Sequence, residues 1–306
     1  MNVGLCMVIK NEASNLQDCL GPIVDLFDNV VIIDTGSTDG SQEILTQELG
    51  IKPLERRLQA AHCFSKHLFA NEGLSLLKTE WAFILDADER IDPKELLLVK
   101  DSLDDPEVDG YFCEWITHKN DDVIEDYKLC LFRSGARKSG FIHSNAQYEF
   151  RRQNLHAVWC PALSLHHFPD RGMEVQKLND YLARLDCAMN KDPDWQRYNW
   201  FYGYMMFVQD RFSEAIEPLS SAGNSQSKIF PVESLNARVV LAEILARTRQ
   251  QDELIAVLEK GIRFHDEVQD DFEVKINFRL RPWLNDALSN ARMGRLDTIR
   301  AYPFAY

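Results

Sequence analysis

Three short apolar runs, each breaking off at a polar or acidic cluster, constrain this chain more than any other feature. Val3–Ile9 runs into Lys10-Asn11-Glu12, and Asn29–Ile33 runs into Asp34 and the turn Thr35-Gly36-Ser37-Thr38-Asp39-Gly40. Trp81–Leu85 runs into Asp86-Ala87-Asp88-Glu89. Apolar runs without polar alternation are expected to be strands buried on both faces. Helical spacing fills the intervals, with Leu16, Cys19, Leu20, Ile23, Val24 and Phe27 after the first run, Ile44, Leu45 and Leu49 after the second, and Phe64–Leu77 before the third. Asp92-Pro93 supplies an N-cap and a first-turn proline for a further helix ending near Leu103. The alternation predicts an α/β fold with a parallel sheet covered by helices. Such sheets bind ligands beyond the carboxyl ends of their strands, where the three polar clusters fall.

From about Asp109 the pattern turns β-rich, with strands expected at Gly110–Thr117, Tyr127–Arg133 and Leu163–Phe168, then a helix ending near Asn190. Asp192-Pro193-Asp194 reads as the domain boundary. Beyond it the chain is helical throughout. Asn199–Phe207 and Asp210–Leu219 look like a tetratricopeptide hairpin, with Gly203, Phe212, Ala215 and Ala222 at the packing positions of that repeat. Leu235–Arg247 with Asp252–Gly261 reads as a second, looser pair, and Pro282–Arg292 as the start of a third. The aromatic stripe Trp195, Tyr198, Trp200, Phe201, Tyr202, Tyr204 and Phe207 has two readings, a core between hairpins or a surface for an acceptor or a second copy of the chain.

Composition narrows the function. The 306 residues carry 34 Lys and Arg against 48 Asp and Glu, a formal charge of −14. An acidic chain without a basic cluster is not expected to bind nucleic acid or anionic lipid. No apolar run reaches the roughly 18 residues of a membrane span, and the opening residues read as a strand, not as a signal peptide. The seven cysteines are scattered without a CxxC, so neither a disulfide framework nor a zinc–thiolate site is expected, and a cytoplasmic location follows.

The chemistry sits in the acidic cluster. Two carboxylates at i and i+2 leaving a buried strand can reach one cavity, and hard oxygen ligands suit Mg²⁺ or Mn²⁺ bridging a diphosphate. Asp192-Pro193-Asp194 repeats the spacing without a preceding strand and reads as linker. A dehydrogenase is excluded because Met7–Leu16 holds no glycine, a P-loop because no GxxxxGK[ST] occurs. A haloacid-dehalogenase phosphatase would want Thr or Val where Arg90 stands.

Leu5–Glu12, Val31–Ser41 and Trp81–Glu89 together resemble the family 2 glycosyltransferases of the GT-A fold, in the bacterial branch that continues into tetratricopeptide helices. Peptide S-glycosyltransferases and lipopolysaccharide or capsule transferases are similar in this layout. The resemblance implies a GT-A domain over residues 1–191 with a mostly parallel, Rossmann-like sheet, then a tetratricopeptide-like helical domain over 192–306. It implies an inverting hexosyltransferase that moves a sugar from a nucleotide-diphosphate donor, a UDP-sugar, to a glycan or peptide acceptor. Mn²⁺ or Mg²⁺ would be its cofactor, and a homodimer through the helices is a further expectation.

Carried over by residue, the resemblance gives Asp34 the base or ribose of the donor, with Lys10, Glu12, Asn71, Asp86 and Ala87 around the nucleotide. Asp34 could instead bond its own turn, Glu12 could cap the first helix, and Asp39 is expected to cap the helix after it. Asp88 becomes the metal ligand, with His167 of Leu163–Phe168 as its partner and His166 on the opposite strand face. Glu89, His143 and Glu114 compete for the base that takes the acceptor's proton. The chain departs from the family pattern at Ala70, where arginine is expected, and at Ser144, where glutamate is expected. These departures keep an alternative open: a catalytically degenerate GT-A scaffold whose helices are an interaction module.

Overall fold

The structure is a computed structural model, and it describes residues 1–59, 61, 63–119, 122–169, 175–224, 230–269 and 279–302. The chain divides into two compact units, essentially Met1–Met173 and Glu174–Phe304. The sequence reading draws the line at Asp192, whereas here the helix Val175–Lys191 falls in the second unit.

In the first unit the elements run β1 (Val3–Ile9), α1 (Ala13–Leu20), β2 (Asn29–Asp34), α2 (Ser41–Glu43), β3 (Leu54–Glu55), α3 (Ala70–Leu76), β4 (Trp81–Ile84), β5 (Glu89–Arg90), α4 (Pro93–Asp101), β6 (Gly110–Lys119), β7 (Asp122–Arg133), α5 (Ala146–Gln153) and β8 (Ala157–His167). They form one eight-stranded sheet in the order β3-β2-β1-β4-β7-β6-β8-β5. The stretch from β3 to β4 is parallel, β7 joins β4 antiparallel, and β8 returns parallel to β6. Every residue of β1 is buried, as an all-apolar central strand requires. Register pairs Ile9 with Asp34 and Cys6 with Ile84, so the three polar clusters leave the sheet at the same carboxyl edge.

Asp92 caps α4 as expected, its Oδ1 accepting from Lys94 N at 2.7 Å. The helix expected over Phe64–Leu77 starts later, as a 3-10 turn at Lys66–Phe69 leading into α3. Cys63 and Phe64 have φ of 46° and 49°, a left-handed backbone that no right-handed helix accommodates. Cys6, Cys19, Cys113, Cys130 and Cys160 are buried free thiols.

The second unit comprises α6 (Val175–Lys191), α7 (Arg197–Val208), α8 (Phe212–Asn224), α9 (Pro231–Arg247), α10 (Gln251–Val268) and α11 (Leu280–Arg292), each packing on the next in the chain. Consecutive helices stacking in hairpins is the tetratricopeptide-like pattern. A Cβ on Gly203 would lie 2.6 Å from Leu219 Cγ, so the residue's smallness lets α7 and α8 close together. Tyr198, Trp200 and Phe201 are fully buried, so this part of the aromatic stripe is core. Among the described residues no helix is long and apolar enough to cross a membrane.

Candidate active site

The loops after β1 and β2 clasp one another. Asn11 N donates to Ser37 Oγ at 2.8 Å, and Thr38 N donates to Asn11 Oδ1 at 2.8 Å. Glu12 N donates to Ser41 Oγ at 2.9 Å, and Ala13 N to Asp39 Oδ2 at 2.9 Å. Asp39 therefore serves the first turn of α1 as well as its own loop, where its Oδ1 accepts from Ser41 N and Oγ. Asp34 is fully buried beneath this clasp. Its Oδ1 accepts from Gly36 N, Ser37 N and Ser37 Oγ at 3.1, 2.9 and 2.7 Å, and its Oδ2 from Gln42 Nε2. The carboxylate is committed to the turn that follows it.

Beyond β4 lies a partly buried charge network. Lys128 Nζ sits 2.8 Å from Asp86 Oδ2 and 2.6 Å from Glu89 Oε1. Glu89 is fully buried, and it also accepts from Trp115 Nε1 at 2.8 Å and from Asp86 N at 2.8 Å. Burial pushes the Glu89 carboxyl up and Asp86 adds to this, while Lys128 opposes it. Asp86 moves the other way: burial would raise it, but the ammoniums of Lys128, Lys138 and Lys66 outweigh burial and hold it well below the usual carboxylate range. Lys128 lowers both carboxyls, and the two diverge because burial dominates at Glu89 while Lys138 and Lys66 add to Lys128 at Asp86.

Asp88 is the acid that remains available. Its Oδ2 lies 3.3 Å from His167 Nε2, across the antiparallel pairing that sets Glu89 against His167. His167 Nδ1 is 3.0 Å from the hydroxyl of Thr117, its partner in the β6–β8 register, and its ring stacks on Trp115 at 4.7 Å. An imidazole fixed through one nitrogen, with the other turned to a carboxylate, is how metal-binding histidines are oriented. Ligands bound at roughly 2.1–2.2 Å and near right angles around one divalent ion sit about 3 Å apart, so this pair fits such an ion. Among the described residues no cluster of three or more His, Cys, Asp or Glu could hold a metal, so this pair would need ligands from outside that set.

The model of glycosyl transferase family 2 matches residues 5–163, more than half of the chain and this charged edge except His167. The chain belongs to that family. Its matched unit is a glycosyltransferase domain of GT-A type. A TPR repeat-containing protein of Synechococcus elongatus is 34% identical over 105 residues, 34% of this chain and 25% of that protein, so the match spans a quarter of that relative's length. Among solved structures, TarS of S. aureus aligns over 97% of this chain and 88% of its own at 14% identity, with a TM-score of 0.40. Glucosyl-3-phosphoglycerate synthase from Mycobacterium tuberculosis, in complex with Mn²⁺ and UDP-glucose, aligns over 61% and 79% at 12% identity, with a TM-score of 0.41. Both superpositions are too loose to transfer any role.

For a family 2 domain, the remaining sequence-chosen residues are placed unevenly. Lys10 is exposed at the end of β1. Glu12 accepts from Lys66 Nζ at 3.2 Å and Asn15 Nδ2 at 3.1 Å, and its side chain does not cap α1. Ala87 is buried in the core, and its carbonyl accepts from Arg90 Nη1. Asn71 bonds the backbone of Lys138. Glu114 pairs in register with Tyr127 and Ser164, accepts from Ser164 Oγ at 3.2 Å, and lies on the opposite sheet face from Trp115 and Lys128. His143, with φ of 50°, stacks on His67 at 6.2 Å. His166 is turned from His167 as the strand's alternation predicts, and bonds His118 at 2.9 Å. Sequence reasoning assigned no role to Lys128, Trp115, Thr117, Lys66 or Lys138, because nothing in their local pattern marks them. Strand pairing brings Lys128, Trp115 and Thr117 to this edge, whereas Lys66 comes from the turn before α3 and Lys138 from the loop after β7, bonded by Asn71.

Proposed function

We propose that the chain is a metal-dependent, inverting glycosyltransferase, moving a sugar from a nucleotide-diphosphate donor, a UDP-sugar, to a glycan or peptide acceptor in the cytoplasm. The observation that carries this reading is the Asp88–His167 pair, 3.3 Å apart at the carboxyl edge with the far ring nitrogen held by Thr117. A divalent ion, Mn²⁺ or Mg²⁺, held there would supply Lewis-acid stabilisation to the departing nucleoside diphosphate. Lys128 keeps Asp86 and Glu89 compensated, which lessens the repulsion an incoming diphosphate would meet. Glu89 has its oxygens occupied and Glu114 lies on the far sheet face, which leaves His143 as the base for the acceptor's proton in this reading. The nucleotide's base and ribose would then rest against the Asp34 loop, through groups other than its committed carboxylate. The helical unit would serve the acceptor or pair two copies of the chain.

The test is calorimetric titration of UDP with and without Mn²⁺, for the wild type and Asp88→Asn. The expected outcome is Mn²⁺-dependent binding and UDP-sugar turnover, both lost in the variant while its thermal melt stays nearly unchanged. Undiminished turnover in Asp88→Asn would sink the metal assignment. Failure of UDP, GDP, CMP and dTDP alike to bind would favour the scaffold alternative.

A further inference from the structure

Lys66, Lys128 and Lys138 all act on Asp86 at the carboxyl edge, and their own pairing is lopsided. Lys128 is bonded to Asp86 and Glu89, and Lys66 to Glu12. Lys138, half-buried in the loop after β7, has no bonded partner for its ammonium among the described residues. Its backbone, by contrast, is gripped from α3. Asn71 Nδ2 donates to the Lys138 carbonyl at 2.8 Å, and the Lys138 N–H donates to Asn71 Oδ1 at 2.8 Å. A side-chain amide satisfying both backbone groups of one residue acts like a short piece of neighbouring strand, and it fixes where that residue's side chain starts.

We propose that Lys138, positioned by Asn71, binds the diphosphate of the nucleotide donor. The assignment rests on the nucleotide-sugar reading above and adds a phosphate-binding residue to it. An ammonium without a bonded anion, beside the committed Asp86–Lys128–Glu89 network, is a charge that no carboxylate of the described residues neutralises by direct contact. Burial, with Lys128 nearby, pushes the Lys138 ammonium down, and Asp86 only partly offsets this. An arriving diphosphate supplies the missing negative charge, and charge-assisted bonds from ammonium to phosphate are among the stronger polar contacts. Asn71 then acts through Lys138 and need not touch the nucleotide.

The experiment compares UDP with uridine on the full chain by calorimetry, each with Mn²⁺ present. Lys138→Gln should weaken UDP about 10- to 100-fold, the range for one charged hydrogen bond, and leave uridine affinity unchanged. Lys138→Arg should keep UDP binding within a few-fold of wild type. Asn71→Ala, which keeps the charge and removes the clamp, should weaken UDP but not uridine. Equal UDP affinity in Lys138→Gln, or equal losses for UDP and uridine, would overturn the assignment. A wild type that binds no nucleoside diphosphate, GDP and dTDP included, overturns the transferase reading first and this assignment with it.

Discussion

Lys128 Nζ lies 2.6 Å from Glu89 Oε1, although their strands β7 and β5 are separated in the sheet by β6 and β8. The link runs over one face of the sheet, with Trp115 of β6 donating to the same Glu89 oxygen. It joins the short edge strand behind Asp88 to the middle of the sheet. Glu89, the residue after Asp88, is therefore held in an ion pair whose other half arrives about forty residues later in the chain.

Removing the lysine should be costly. Lys128→Met leaves Glu89 buried without its cation and Asp86 without its nearest one, and breaking a buried pair costs about 3–5 kcal/mol. Urea unfolding should show a loss on that scale, and adding Glu89→Gln should recover part of it. A Lys128→Met protein as stable as the wild type would mean that the network contributes little.

Asp34 offers a second check. Its buried carboxylate accepts from Gly36 N, Ser37 N, Ser37 Oγ and Gln42 Nε2, so Asp34→Ala removes four hydrogen bonds, each contributing about 1 kcal/mol net. Stability should fall by about 2 kcal/mol or more, and the clasp between the β1 and β2 loops should loosen, seen as faster amide exchange at Ser37 and Thr38. Unchanged stability with lost nucleotide binding would make Asp34 a ligand contact instead.

The far side of β8 should respond to pH. His118 lies 2.9 Å from His166 and stacks on Phe168, and burial, with His166 and His167 nearby, pushes its imidazole below 6.5. The folded state therefore disfavours His118 protonation. As pH falls below about 6.5 the unfolded chain takes up this proton first, so stability declines until the folded-state value is passed. The melting temperature of the wild type should drop between pH 7 and 5, and His118→Gln should flatten that slope. Parallel slopes for the two proteins would remove His118 from the account.

Much of the candidate site is visible in the chain itself, though not always for the reason the motifs suggest. Lys10-Asn11-Glu12 and Asp34–Ser41 do mark the carboxyl edge, yet Asn11, Ser37, Asp39 and Ser41 bond one another across two loops. Part of that motif pattern is loop architecture. Asp88 and His167 were matched by resemblance, and the register of β5 on β8 brings them together. Lys128 and Lys138 carry no local mark: a lysine in a strand or a surface-like loop reads as solvated until its neighbours are known.

The sequence by itself determined most strands and helices in order, though not β3, β5 or α5, together with the buried runs β1, β2 and β4, the change to helical hairpins, and the acidic cluster at a strand end. Those features follow from side-chain periodicity and turn chemistry within a few residues. The tertiary structure alone decided which carboxylates are spent and which stay available. Asp34 is taken by its own turn, Asp86 and Glu89 by Lys128, and Asp88 is left facing His167. That outcome depends on strand register between segments tens of residues apart, and a charge's role is set by the partners that register delivers and by the water it excludes.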